Sequence, residues 1–203
     1  MKFATIVLLG TLLLGSFASL KAADSAGFSE VAFAFTGRSV ENANPSALPS
    51  AAPYTCFWFL PMVKGLDQAS LFRGATAESN ATLTWVSDYF VQPPISNGAY
   101  TLMLIPAGTA TIYYTANPSG RKSNDPNTYK GDAVATFTRK EALYVAGATG
   151  GIFTFSADLV WSKTFIMNGK PFNFKDLVPN GMTCMENGAD GAEAGSCVAI
   201  GTR

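Results

Sequence analysis

Four carboxylates lie in or beside stretches that read as β-strands: Asp88, Glu141, Asp158 and Asp176. Two carboxyl groups facing one another in a cleft form an acid/base pair of the kind glycosidases use, so these four are the candidates for catalysis. The plainer role for each is to face solvent or cap a turn, and Asp158 already falls on the polar side of its strand. Two stretches, Glu186/Asp190/Glu193 and Asn124/Asp125/Asn127/Asp132, offer the oxygen ligands that suit calcium in a flexible loop. Neither keeps EF-hand spacing, so the expectation is no metal and no cofactor. The chain has no histidine, which excludes a Ser-His-Asp triad, a Cys-His pair and a His-ligated zinc. Gly147, Gly150 and Gly151 are not followed by Gly-Lys-Ser/Thr, so they read as turn glycines and not as a phosphate loop.

Aromatic residues are the other candidates. Trp85, Tyr89, Tyr113, Phe153, Phe155 and Trp161 sit on strand-like segments and are expected to line a ligand cavity, against the alternative that they only fill a core. Phe57-Trp58-Phe59 and Tyr113-Tyr114 place aromatics on both faces of their strands. One of those faces must then be a second buried surface, a partner contact or a ligand wall.

The elements that position these residues show a period of two. Phe153, Phe155, Ala157, Leu159 and Trp161 fall on one side of an extended chain and Thr154, Ser156 and Asp158 on the other, which is a half-buried strand. Asn168-Gly169 then favours a tight hairpin turn with positive φ. Pro171 lacks an N–H and places the following strand at an edge. Further strands are expected over Phe28–Phe35, Tyr54–Val63, Thr82–Val91, Ala99–Ile105, Thr109–Ala116, Asp132–Thr138, Glu141–Gly147 and Cys197–Thr202. Pro106-Ala107-Gly108 is expected to make a hairpin turn and Arg139-Lys140 a charged one. Asn42–Pro53 and Asn117–Gly131 read as loops, and one helical turn is expected near Leu66–Phe72. About eight to ten short strands without helical periodicity indicate a single all-β domain. An antiparallel β-barrel is favoured over a β-sandwich because sequential hairpins dominate the second half.

Residues 1–22 have the three-part pattern of a secretory signal peptide: Met1-Lys2, an apolar run from Ile6 to Leu14, and the small residues Ser16, Ala18 and Ala22 near a cleavage site. The run is too short for a stable membrane span, and the expected location is secreted or periplasmic. Residues 23–203 form the domain. Removing Lys2 and Lys21 from the 14 basic residues leaves 12 against 14 acidic ones, which gives no basic excess for nucleic acid. Cys184 and Cys197 bracket a polar, Gly-rich loop and are expected to form a disulfide, which suits an exported chain; Cys56 reads as a small buried hydrophobe, and its pairing with either of the other two stays open. Asn80-Ala81-Thr82 is a glycosylation sequon.

The stretch "TFTRKEALYVAGATGGIFTFSADL" resembles the allene oxide cyclase-like barrels, whose strands carry a glycine turn of the form A-G-A-T-G. Ala146-Gly147-Ala148-Thr149-Gly150 matches that turn. The resemblance implies a small β-barrel with an apolar interior, in a superfamily that holds both cyclases and proteins without known catalysis. No catalytic residue carries over. The expectation is therefore a non-enzymatic exported barrel that binds a small apolar ligand or a protein partner. The alternatives are a carboxylate-based enzyme of cyclase or glycosidase type, and a structural envelope protein.

Overall fold

The computed structural model describes residues 30–41, 53–90, 92–105, 107–189 and 191–201. The expected signal peptide, the loop over 42–52, Val91, Pro106, Asp190 and Thr202 lie outside them, as do the side chains of Tyr89 and Glu141. The described strands are β1 (Val31–Glu41), β2 (Pro53–Val63), β3 (Leu83–Phe90), β4 (Ile95–Asn97), β5 (Tyr100–Leu104), β6 (Ala107–Tyr114), β7 (Asp132–Gly147), β8 (Gly150–Ser162), β9 (Phe165–Met167), β10 (Lys170–Phe172), β11 (Met182–Ala189) and β12 (Ala192–Ala199). Two one-turn helices, α1 (Gln68–Leu71) and α2 (Phe174–Leu177), complete the architecture.

Eight strands close into an antiparallel barrel in the order β1-β2-β3-β6-β7-β8-β11-β12, with β12 returning to pair with β1. Each is antiparallel to its neighbour, which makes the barrel an up-and-down meander. The expected barrel is therefore correct, and its sandwich alternative is not. β4 and β5 extend one end as a hairpin whose two-residue turn begins at Gly98, φ 61°. β9 and β10 form a separate hairpin at the other end. Its turn residues, Asn168 (φ 48°) and Gly169 (φ 76°), are both left-handed, as a type I′ turn requires.

Large aromatics fill the middle of the barrel. The rings of Phe35, Trp58 and Trp85 meet at 4.9–5.3 Å, and Phe155 joins Trp85 at 5.9 Å. An eight-stranded barrel has just enough interior for such a filling. The end reached by β2 and β8 is plugged by the α1 and β9–β10–α2 connections. Phe174 packs edge-on against Phe33 at 6.1 Å and Phe165 against Tyr114 at 5.0 Å. Arg73 donates to Asn168 Oδ1 at 2.6 Å and Asn168 to Ser70 Oγ at 3.2 Å, tying the two connections together.

Aromatics on two faces have a simple resolution. Phe57, Val86 and Tyr129 form a second, outer cluster, with Val40 and Tyr113 against it. The segment carrying Tyr129 lies across β2 and β3. The Thr84 hydroxyl donates to Tyr129 O at 2.5 Å, and Arg121 donates to Glu78 O and Ala81 O at 2.8 and 2.7 Å while stacking on the Tyr129 ring.

Four expectations about the chain path need correction. Pro106-Ala107-Gly108 does not reverse the chain: β5 and β6 both pair with β7, and the reversal is at Asn97–Tyr100. Arg139-Lys140 is not a turn. β7 runs through it, and one extra residue at Lys140 shifts the register with β8, so the inward positions change from Ala135, Phe137 and Arg139 to Ala142 and Tyr144. Such a bulge looks like a break in periodicity when only the sequence is read. A second extra residue, Val160, turns Trp161 out of the inner face, where it is 45% exposed. The Gly-rich stretch between Cys184 and Cys197 is not an open loop but the arms of the β11–β12 hairpin. The two cysteines are directly paired across it, Cα–Cα 4.0 Å, and bonded as expected.

That disulfide closes a loop of 13 residues. Replacing both cysteines by alanine is expected to lower the unfolding free energy by about 3 kcal/mol, seen as a lower urea midpoint with an unchanged far-ultraviolet spectrum.

Candidate functional site

Two-residue alternation upward from the disulfide builds the site. Cys184 and Cys197 face inward; two residues on along β11 stands Glu186, and Gly195 opposes it on β12. Glu193 is the next inward position of β12, diagonal to Glu186. Glycine is needed at 195 because a Cβ there would lie 2.5 Å from the Phe35 ring. β7 delivers Arg139 to the same level, only 2% exposed. Three ionisable side chains thus meet above the aromatic filling.

Each is held. Arg139 donates to Ser87 Oγ at 3.1 Å, and its guanidinium lies 4.6 Å from the Phe155 ring centre and 5.1 Å from that of Phe153, a stacking suited to the planar cation. Trp58 Nε1 donates to Glu193 Oε2 at 2.9 Å. Glu186 is 3% exposed, stands diagonally beside Glu193, and has a buried Oε2 without a hydrogen-bond partner. Burial first, then the charge of Glu193, pushes the Glu186 pKa up to about 9, while Arg139 opposes the rise. Glu186 therefore keeps its proton at neutral pH. Burial and then the charges of Glu193 and Glu186 also raise the Tyr144 hydroxyl.

Above this layer is a cavity of about 280 Å³. Its walls are Tyr54, Met103, Ile105, Tyr144 and Phe153, and Ser39, Cys56, Glu186 and Glu193 are its polar groups. The β7–β8 and β11–β12 turns contribute Gly150, Ala189, Gly191 and Ala192 to it. Cys56 keeps its thiol.

Of the aromatic candidates, Phe153 lines this cavity. Trp85 and Phe155 lie beneath it in the core, Tyr113 belongs to the outer cluster, Trp161 is on the outer surface, and the Tyr89 side chain lies outside the described residues. The four carboxylates singled out for catalysis do not converge where they are described. Asp88 is exposed and accepts from Thr55 Oγ1 at 2.7 Å, Asp158 pairs with Lys140 at 3.0 Å, and Asp176 is exposed on α2. Of the calcium candidates, Asp125 accepts from Asn127 N at 3.0 Å and Asp132 pairs with Lys163, while Glu186 and Glu193 point into the barrel. Among the described residues no three His, Cys, Asp or Glu side chains cluster as a metal site.

Reading from residues alone missed Arg139 and the inward role of the two glutamates. The available signal was the disulfide: once Cys184 and Cys197 are set side by side, counting by two along each arm brings Glu186 and Glu193 onto the inner face. Comparison with family models, curated proteins and solved structures returns no match. The site is therefore read from its own chemistry.

The folded protein holds a proton on Glu186 that the unfolded chain releases near its ordinary value of 4.5. Stability present below that value is expected to fall as pH rises towards 9, by at most about 1.4 kcal/mol per pH unit. Thermal melts from pH 5 to pH 9 check this, and Glu186→Gln should flatten the profile. Arg139→Ala should cost roughly 3 kcal/mol or more, by leaving buried charge uncompensated, with the larger loss near pH 9, where Glu186 ionises.

Proposed function

We propose that the protein acts after export as a non-enzymatic binding barrel that takes one small, mainly apolar molecule into the cavity above Trp58. The observation that carries this reading is the cavity itself: about 280 Å³ with aromatic and aliphatic walls and a few convergent polar groups, the character of a ligand site. An internal disulfide suits an oxidising compartment, and the segment over 1–22 supplies the export signal.

Binding is favoured over glycoside hydrolysis by the carboxyl geometry. Glu186 and Glu193 stand diagonally on adjoining strands on one side of the cavity, whereas hydrolysis needs two carboxyl groups that flank the scissile bond, about 5 Å or more apart. The resemblance to cyclase-like barrels is compatible with either a catalytic or a carrier role. The proton on Glu186 is first a way to hold two acids in an apolar place.

Titration with 1-aminoanthracene, a small polarity-sensitive fluorophore, is expected to give saturable, blue-shifted emission with one site per chain. Ser39→Phe, which fills the cavity from β1, should abolish it while leaving the melting temperature within a few degrees. Absence of binding, or equal binding by Ser39→Phe, refutes the cavity as the site. The N-terminus of protein recovered outside the producing cytoplasm should begin after Ala18 or Ala22; an intact Met1 refutes export by cleavage.

A further inference from the structure

The cavity has apolar walls and an acidic floor, and those two properties together define a ligand class. Glu186 Oε2 is buried and has no hydrogen-bond partner, although the residue lines an open cavity. A buried acceptor left in that state is destabilising, and a ligand that donates to the Glu186 carboxyl recovers the loss. Glu193 stands beside it, its Oε2 already engaged by Trp58. With both carboxyls ionised, the described charges facing the floor are two negative ones, Glu186 from β11 and Glu193 from β12, and one positive one, Arg139 from β7. Tyr144 from β7 is a neutral phenol whose ionisation is suppressed there. Arg139 is committed to Ser87 and to the Phe153 and Phe155 rings.

Resting on the cavity reading above, we propose that the preferred occupant is a small organic ammonium ion with an apolar tail, its N–H groups donating to Glu186 and Glu193 and its tail lying against Tyr54, Tyr144 and Phe153. An anion would meet two carboxyls. A neutral alcohol would satisfy Oε2 but would leave the excess negative charge to be cancelled by a proton. An ammonium does both, and the aromatic walls attract it further by their ring faces. A metal ion is a poorer fit, because the described residues bring two carboxylates and no third ligand of metal-binding type together. The ammonium takes the place of the proton on Glu186, which leaves for the solvent buffer on binding. No covalent bond changes.

Isosteric ligands separate these alternatives. Calorimetric titration of the mature chain with 2-phenylethylamine, 2-phenylethanol and 3-phenylpropionate at pH 7 is expected to rank the amine at least tenfold tighter than the alcohol, with the carboxylate weakest. The amine's binding heat should differ between phosphate and Tris buffers in proportion to about one proton released, and the alcohol's should not. Glu186→Gln should reduce the amine to the affinity of the alcohol. If that variant fails to fold, the wild-type pH profile serves instead: amine affinity should increase roughly tenfold per pH unit between pH 6 and pH 8 while the alcohol stays level. Alcohol or carboxylate binding as tightly as the amine overturns the inference and leaves the cavity reading intact, as does 1-aminoanthracene binding with none of the three bound. Failure of all four ligands overturns both.

Discussion

Hydrogen bonds between β12 and β1 join the two ends of the sheet, so that eight strands share their backbone groups around a ring with no free edge between them. Closure surrounds the inward side chains below the cavity on all sides. For the aromatics this is favourable, and Phe35, Trp58, Trp85 and Phe155 interlock across the middle. For Arg139 and Glu186 it removes most contact with water, while Glu193 stands half-buried at the cavity. They must then satisfy one another, or be satisfied by Ser87, Trp58 and ring faces.

The two ends of the barrel differ because the connections differ. At one end the links between β2 and β3 and between β8 and β11 are long enough to carry α1, α2 and the β9–β10 hairpin, and their phenylalanines seal the opening. At the other end β7–β8 and β11–β12 are joined by tight turns of small residues. Those two turns bring no side chain larger than alanine to the cavity rim among the described residues, and the space above the acid pair stays open between Tyr54, Met103, Ile105 and Tyr144. Polarity follows the same division: dry aromatic packing below, ionisable groups at the boundary, a mixed pocket above.

Much of the scaffold was legible in the residues. Alternation in Phe153–Leu159 gave the inner face of β8, Asn168-Gly169 gave the type I′ turn, and the pairing of Cys184 with Cys197 was anticipated. Errors gathered where an extra residue interrupts the count. The bulge at Lys140 made one long strand look like two with a charged turn between them, and so hid a buried arginine. The bulge at Val160 reversed Trp161. In β11 and β12 the inward row mixes Cys, Glu, Gly and Ala with few large apolar groups, so periodicity carried little hydrophobic contrast and the hairpin resembled a solvated loop.

Sequence by itself determined that the chain is antiparallel β with an aromatic core, that imidazole chemistry is absent, and that two of the three cysteines can be bonded, because these depend on composition and on a period of two that neighbouring residues already express. Only the tertiary structure decided which charges are inside. A carboxylate's address depends on strand register, register depends on bulges and on ring closure, and a one-residue slip moves a side chain from solvent to core. Glu186 and Glu193 lie close together because β11 and β12 are locked at their cysteines, and Arg139 faces them because β7 crosses the barrel to the same level. No local property of those residues fixes that meeting; it is set by closure of the whole sheet.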